Sequence, residues 1–247
     1  MGDFCADDAE IFLKHQAGDK EENTECGLRI AELRIRGGGA QCVAVHDRDG
    51  ITTLEDPNSL DHILAASHDG SMEYVTAALL ESGLDQIRRS PTNDGRIELI
   101  VRRPAQDERE VVLEATLDCA KGLIGDNWAN GSSHPDTQLT LMNSRVALLV
   151  AGQADRRQLA GDQLYVDYDL SEHNLPPGTR LQVGSAIIEA TSSPHLGCNK
   201  FAQRFGPDAR RFVNSPIGRE LRLRGLNAKI VVPGTVQVGD PVRKLAV

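Results

Sequence analysis

Aromatic residues make up only 4% of the 247-residue chain, and its five cysteines never form a C-x-x-C pair. The chain also has no apolar run of the roughly 18 residues that a membrane-spanning helix needs. The start, MGDFCADDAE, is acidic where a secretory signal would be basic and then apolar, so a cytoplasmic protein that does not enter a membrane is expected. Cys5, Cys26, Cys42, Cys119 and Cys198 are odd in number and scattered, which argues against a disulfide scaffold or zinc knuckle and fits a reducing compartment. Nucleic acid is not an expected partner. Only Phe201, Phe205 and Phe212 interleave with the basic residues, and no zinc-finger or RNP-type motif accompanies them. No internal repeat, low-complexity tract or H-x-x-x-H pair occurs.

The net charge of -9 is unevenly spread. Residues 1–25 hold eight acidic and two basic side chains, so -6 of the total lies there. Residues 198–229 hold Lys200, Arg204, Arg210, Arg211, Arg219, Arg222, Arg224 and Lys229 against Asp208 and Glu220, a local +6. Such a run is either a solvated basic face or a cleft for a small anion, since guanidinium groups match phosphate geometry.

Three regions follow from the patterning. Residues 1–25 are acidic and expected to be disordered, with only IFLK suited to burial. Residues 26–97 form a smaller α+β region: GLRIAELRI and QCVAVHD alternate like strands, and 60–87 shows helical spacing broken at Asp69-Gly70. From 98 to 247 the chain is mainly β. EREVVLEATL, QLYVDY, TRLQVG, AIIEAT and AKIVVPGTVQVG read as strands of a small barrel, following RIELIVRRP. TQLTLMNSRVALLVAG at 137–152 is read as one helix capped by Asp136, with Leu139, Met142, Val146 and Leu149 on a stripe.

Cys198, in SSPHLGCNKFAQRF, is the leading chemical candidate. It follows a proline-broken loop, precedes a helical segment, and has His195, Lys200 and Arg204 nearby in sequence. A helix N-terminus and cationic neighbours favour the thiolate, which is the reactive and metal-binding form. Lys200 and Arg204 would lower the thiol pKa or hold an anionic group, while the bland alternative is a small buried cysteine. Asp126, after a glycine, can cap a turn or enter a pocket, and Asn143 can bond the barrel or face a ligand. A rival arrangement draws on His134, His173 and His195, three loop imidazoles whose convergence would hold a first-row divalent metal and make the protein a lyase or hydrolase.

GLIGDNW at 122–128, LAGDQLYV at 159–166, LPPGTRLQVGSAIIEAT at 175–191, HLGCNKFAQRFG and VPGTVQVGD together resemble the MOSC domain, named for the C-terminal part of eukaryotic molybdenum cofactor sulfurases. The resemblance covers about residues 98–245. It implies a twisted β-barrel with a few packed helices, a cysteine in a basic groove, and a role in sulfur transfer or in C–S or N–O chemistry, linked to the molybdenum cofactor. Cys198 falls on the family's cysteine and Lys200 on the basic position two residues after it. Gly197 stands where many members have proline. No aminotransferase-like desulfurase domain is present, so a persulfide on Cys198 would draw its sulfur from a separate cysteine desulfurase. The expected substrate is a small anionic or sulfur-bearing metabolite. A binding module without chemistry is the remaining alternative.

Overall fold

The computed structural model describes residues 74–130 and 134–246, together with strands β1 (Arg29–Glu32), β2 (Val43–His46) and β3 (Thr52–Glu55). The expected acidic tail and residues 60–73 of the helical pattern expected over 60–87 lie outside the described residues. Two compact units divide the chain near residue 60. In the first, β1, β2 and β3 pair as an antiparallel sheet.

The second unit is a closed barrel. Its strands are β4 (Gly95–Arg102), β8 (Leu139–Asn143), β9 (Leu164–Asp167), β10 (Arg180–Val183), β11 (Ala186–Ala190), β12 (Leu226–Val232) and β14 (Pro241–Lys244). They run in the order β14-β10-β11-β12-β8-β9-β4, and β4 pairs with β14 to close the circle. Closure removes the free edges that an open sheet would expose. The short β5 (Glu110–Val112) adds to the other side of β4. A separate small sheet joins β13 (Gly234–Gln237), β6 (Glu114–Asp118) and β7 (Gly122–Leu123). The run EREVVLEATL is thus two strands in different sheets, divided at the exposed Leu113.

Alternation sets the barrel interior. Leu181 and Val183 on β10, and Ala186, Ile188 and Ala190 on β11, point inward while their neighbours face out. A second apolar layer covers the outer face of β4, β8 and β9. There Val101, Met142 and Tyr165 pack against α1 (Ala77–Ser82), α2 (Leu84–Arg88), α3 (Ser144–Ala151) and α4 (Asn199–Asn214), through Leu80, Val146, Leu149, Phe201 and Phe205. Full burial of each such side chain stabilises the fold by roughly 1.5–3 kcal/mol. The short α5 (Pro216–Glu220) leads from α4 towards β12.

The expected helix over 137–152 is half strand. Leu139–Asn143 pairs antiparallel with β12 and parallel with β9, and the helix begins only at Ser144. All five residues of β8 are buried, because one face meets the barrel interior and the other the helices. A strand buried on both sides loses alternation and reads as an apolar run.

Helix α4 is two helical pieces joined at Gly206, whose φ of 89° lies in the left-handed region. Pro207 follows and has no N–H for the carbonyl of Gln203, four residues back. The Tyr74 hydroxyl donates to that carbonyl instead, at 3.0 Å. A Cβ on Gly206 would come within 2.7 Å of the Tyr74 ring. Gly206→Ala therefore combines backbone strain with a steric clash and is expected to destabilise the protein by about 2 kcal/mol or more, read from urea unfolding.

Candidate functional site

The loop Ser192–Gly197 leaves β11 and delivers Cys198 to the N-terminus of α4, where it stands as the cap residue in extended conformation. Gly197 is fixed on both sides of its peptide unit. Its N–H donates to Asn214 Oδ1 at 2.9 Å, and its carbonyl accepts from Asn214 Nδ2 at 2.9 Å and from Arg210 Nε at 3.3 Å. Cys198 itself is exposed. Partial burial pushes its thiol up, but the backbone N–H groups of Phe201 and Lys200, with the charge of Arg224, outweigh this and hold it below the ordinary thiol range.

Beneath the loop lies a buried ionic network. Asp162 is fully buried, and one carboxylate oxygen meets His195 Nε2 at 2.7 Å while the other accepts from Arg224 Nη1 at 2.6 Å. Arg224 Nη2 donates to the Ala160 carbonyl at 3.0 Å, and the guanidinium carbon stands 5.1 Å from the centre of the Phe201 ring. Burial pushes the Asp162 carboxyl up, yet Arg224 and His195 more than offset it and keep it ionised. Burial and the Arg224 charge hold the His195 imidazole below its ordinary value despite Asp162. A neutral His195 then donates through Nε2 to Asp162.

A cleft of about 640 Å³ opens beside this network, lined among others by Ser192, Ser193, His195, Arg219, Arg222 and Arg224. Glu172 is its one acidic lining residue. Arg222 donates to the Leu175 carbonyl at 2.6 Å, and it, like Arg219, has no carboxylate within ion-pair distance among the described residues.

The sequence-derived candidates separate into two groups. His195 and Arg224 share one network through Asp162, and the Arg224 charge reaches the Cys198 thiol. Lys200 and Arg204 lie on the same helix, but their side chains bind Asp107, at 3.1 and 2.8 Å. Lys200 acts on the thiol through its backbone N–H. Asn143 is engaged within the fold. Its oxygen caps α3 by accepting from Arg145 N and Val146 N, and its amide nitrogen donates to Ser90 Oγ and the Tyr168 carbonyl, both at 2.8 Å. Asp126 is likewise occupied: it takes Arg103 through both oxygens, at 2.8 and 2.9 Å, and accepts from Trp128 N.

The three histidines of the rival arrangement do not form a metal-binding cluster among the described residues. His195 is bound to Asp162, His134 is exposed and accepts from Asp136 N, and no three His, Cys, Asp or Glu side chains gather to hold a metal among the described residues. Asp162 escaped the sequence reading although it stands in LAGDQLYV. Arg224 was visible only as one member of the basic run.

Fold and cleft define a small closed β-barrel domain that presents a thiol of depressed pKa beside a cationic cleft. Residues 152–243 match the family model of the MOSC domain. No curated protein matches it. Similar solved structures include YiiM from Escherichia coli (22% identity, 62% of this chain and 70% of that chain covered, TM-score 0.42). YUAD protein from Bacillus subtilis is another (17%, 60% and 94%, 0.44). No described helix is long and apolar enough to cross a membrane.

Two outcomes follow from the geometry. Alkylation of Cys198 by iodoacetamide, followed by peptide mass spectrometry, is expected to persist as the pH falls below about 8.5, the ordinary thiol value. Because the folded state holds His195 below its unfolded pKa of about 6.5, the unfolded chain binds more protons there and stability falls as pH drops through that value. Urea midpoints of wild type are expected to decline between about pH 7 and pH 5.5, and His195→Gln is expected to flatten that decline.

Proposed function

We propose that the protein is an enzyme of small-molecule sulfur or nitrogen metabolism in which Cys198 is the reactive thiolate and the molybdenum cofactor is the partner of that thiolate. The carrying observation is the setting of Cys198: exposed, at the start of α4, with its pKa depressed by helix N–H groups and by Arg224. The residues present fit the cofactor. Such a group needs a soft donor for its metal and cations for its phosphate, and here the Cys198 thiol follows two residues after Leu196, which lines a cleft together with Arg219, Arg222 and Arg224. The buried Nε of Arg224 has no partner. Bound there, the cofactor would supply two-electron atom-transfer chemistry of the kind that breaks N–O or C–S bonds.

The chain's own residues have separable tasks in this reading. Cys198 ligates the metal or carries a sulfur atom delivered by a separate desulfurase. The backbone N–H groups of Phe201 and Lys200, with the Arg224 charge, favour the thiolate, and Asp162 keeps Arg224 in place. His195, neutral and bonded to Asp162, fixes the loop that carries the thiol.

Wild type and Cys198→Ser, produced in cells that make the cofactor, would be compared by elemental analysis and by intact mass with and without a thiol reductant. Wild type is expected to carry molybdenum, or a reductant-labile addition of about 32 Da on Cys198, and the serine variant to carry neither. Equal loading of the two proteins, or neither signal in wild type, would reject the reading.

A further inference from the structure

The 103–109 loop, the Asn127–Asn130 turn and the first turn of α4 enclose a second cleft of about 670 Å³, with Arg103, Asp107, Arg109, Trp128 and Lys200 among its lining. Its cations are unequally compensated. Arg103 is paired with Asp126, while Lys200 and the neighbouring Arg204 share Asp107. Arg109 has no carboxylate within ion-pair distance among the described residues, and it lies close to both Arg103 and Arg204. Its Nη2 and Nη1 of Arg204 converge on Gly161, 3.4 and 3.6 Å from where a Cβ would stand. Crowding a third guanidinium against two others without its own counter-ion is unfavourable unless an anion joins them.

Two further atoms point the same way. Arg109 Nε and Trp128 Nε1 are buried N–H donors without any hydrogen-bond partner. Buried donors in native proteins are nearly always satisfied, and both residues that carry these orphan donors line the cleft. A guanidinium fork matches a carboxylate or phosphate, and an indole beside it supplies an apolar face together with a donor.

We propose that this cleft binds the phosphate or carboxylate group of a free small metabolite, with Arg109 as its main ligand. The site is separate from the cleft at His195 and Arg224. Its assignment as the substrate's anchor rests on the Cys198 reading, whereas the binding itself does not.

Trp128 is the chain's single tryptophan, so its emission reports this cleft alone. The full chain would be titrated with inorganic phosphate and pyrophosphate at constant ionic strength, by tryptophan fluorescence and by calorimetry, as wild type, Arg109→Gln, Arg109→Lys and Cys198→Ser. Saturable binding is expected in wild type and in Cys198→Ser, at least tenfold weaker in Arg109→Gln and intermediate in Arg109→Lys, which keeps the charge but loses the fork. Absence of calorimetric binding in wild type, or equal affinity in both folded Arg109 variants, would overturn the site. If one variant does not fold, the other decides. Comparing molybdenum-loaded with molybdenum-free protein separates the sources of anion: equal binding supports a free metabolite, and binding confined to molybdenum-free protein assigns the cleft to the cofactor's own phosphate and overturns the proposal. Since Cys198→Ser leaves Arg109 untouched, failure of the thiol reading and failure of the anion site appear in different arms.

Discussion

Asp162 holds the site together. A carboxylate with no solvent exposure costs several kcal/mol to bury and is tolerated only when both oxygens are matched, and here His195 and Arg224 match them from different segments. The loop before β9, the loop before α4 and the approach to β12 therefore meet at one carboxylate. Arg224, once fixed, stacks on Phe201 and places its charge near Cys198. The thiol's chemistry thus depends on an acid that does not touch it.

The kink in α4 serves the same end. Its first piece carries Cys198, Lys200 and Arg204, and its second piece turns back so that Arg210 and Asn214 grip Gly197. This grip explains why glycine precedes the cysteine here. A Cβ at 197 would lie 2.9 Å from Val213 and 3.2 Å from Asn214, and a proline would also forfeit the N–H that Asn214 Oδ1 accepts.

Much of the barrel was legible because its half-buried strands alternate: RLQV and AIIEA read as strands and are strands. β8 was not, since burial on both faces removes the alternation and its five residues merge with the helix that follows. Cys198 at a helix start could be read from a proline-broken loop followed by a helical segment. The partners of its neighbours could not. Asp107 lies 93 residues from Lys200 and Asp162 lies 62 residues from Arg224, and no local pattern encodes a pairing over such separations. Asn143 and Asp126 are legible as polar residues with either a structural or a ligand-binding use, and a cap and a buried ion pair use the same side chains that a ligand would.

The same long-range pairing changes the meaning of the basic run. Counted along the chain, 198–229 is strongly cationic, but Asp107 meets Lys200 and Arg204, Asp162 meets Arg224, and Glu189 meets Lys229. Those cations are committed to structure. Among the described residues, the arginines that line a cleft without a carboxylate within ion-pair distance are Arg219 and Arg222 at one cleft, and Arg109, which lies outside the run, at the other. In a protein of net negative charge, such residual positive sites act only at short range, because salt screens exposed charges beyond roughly 8–10 Å. They therefore favour small anions that enter a cleft over extended polyanions that need a continuous basic face.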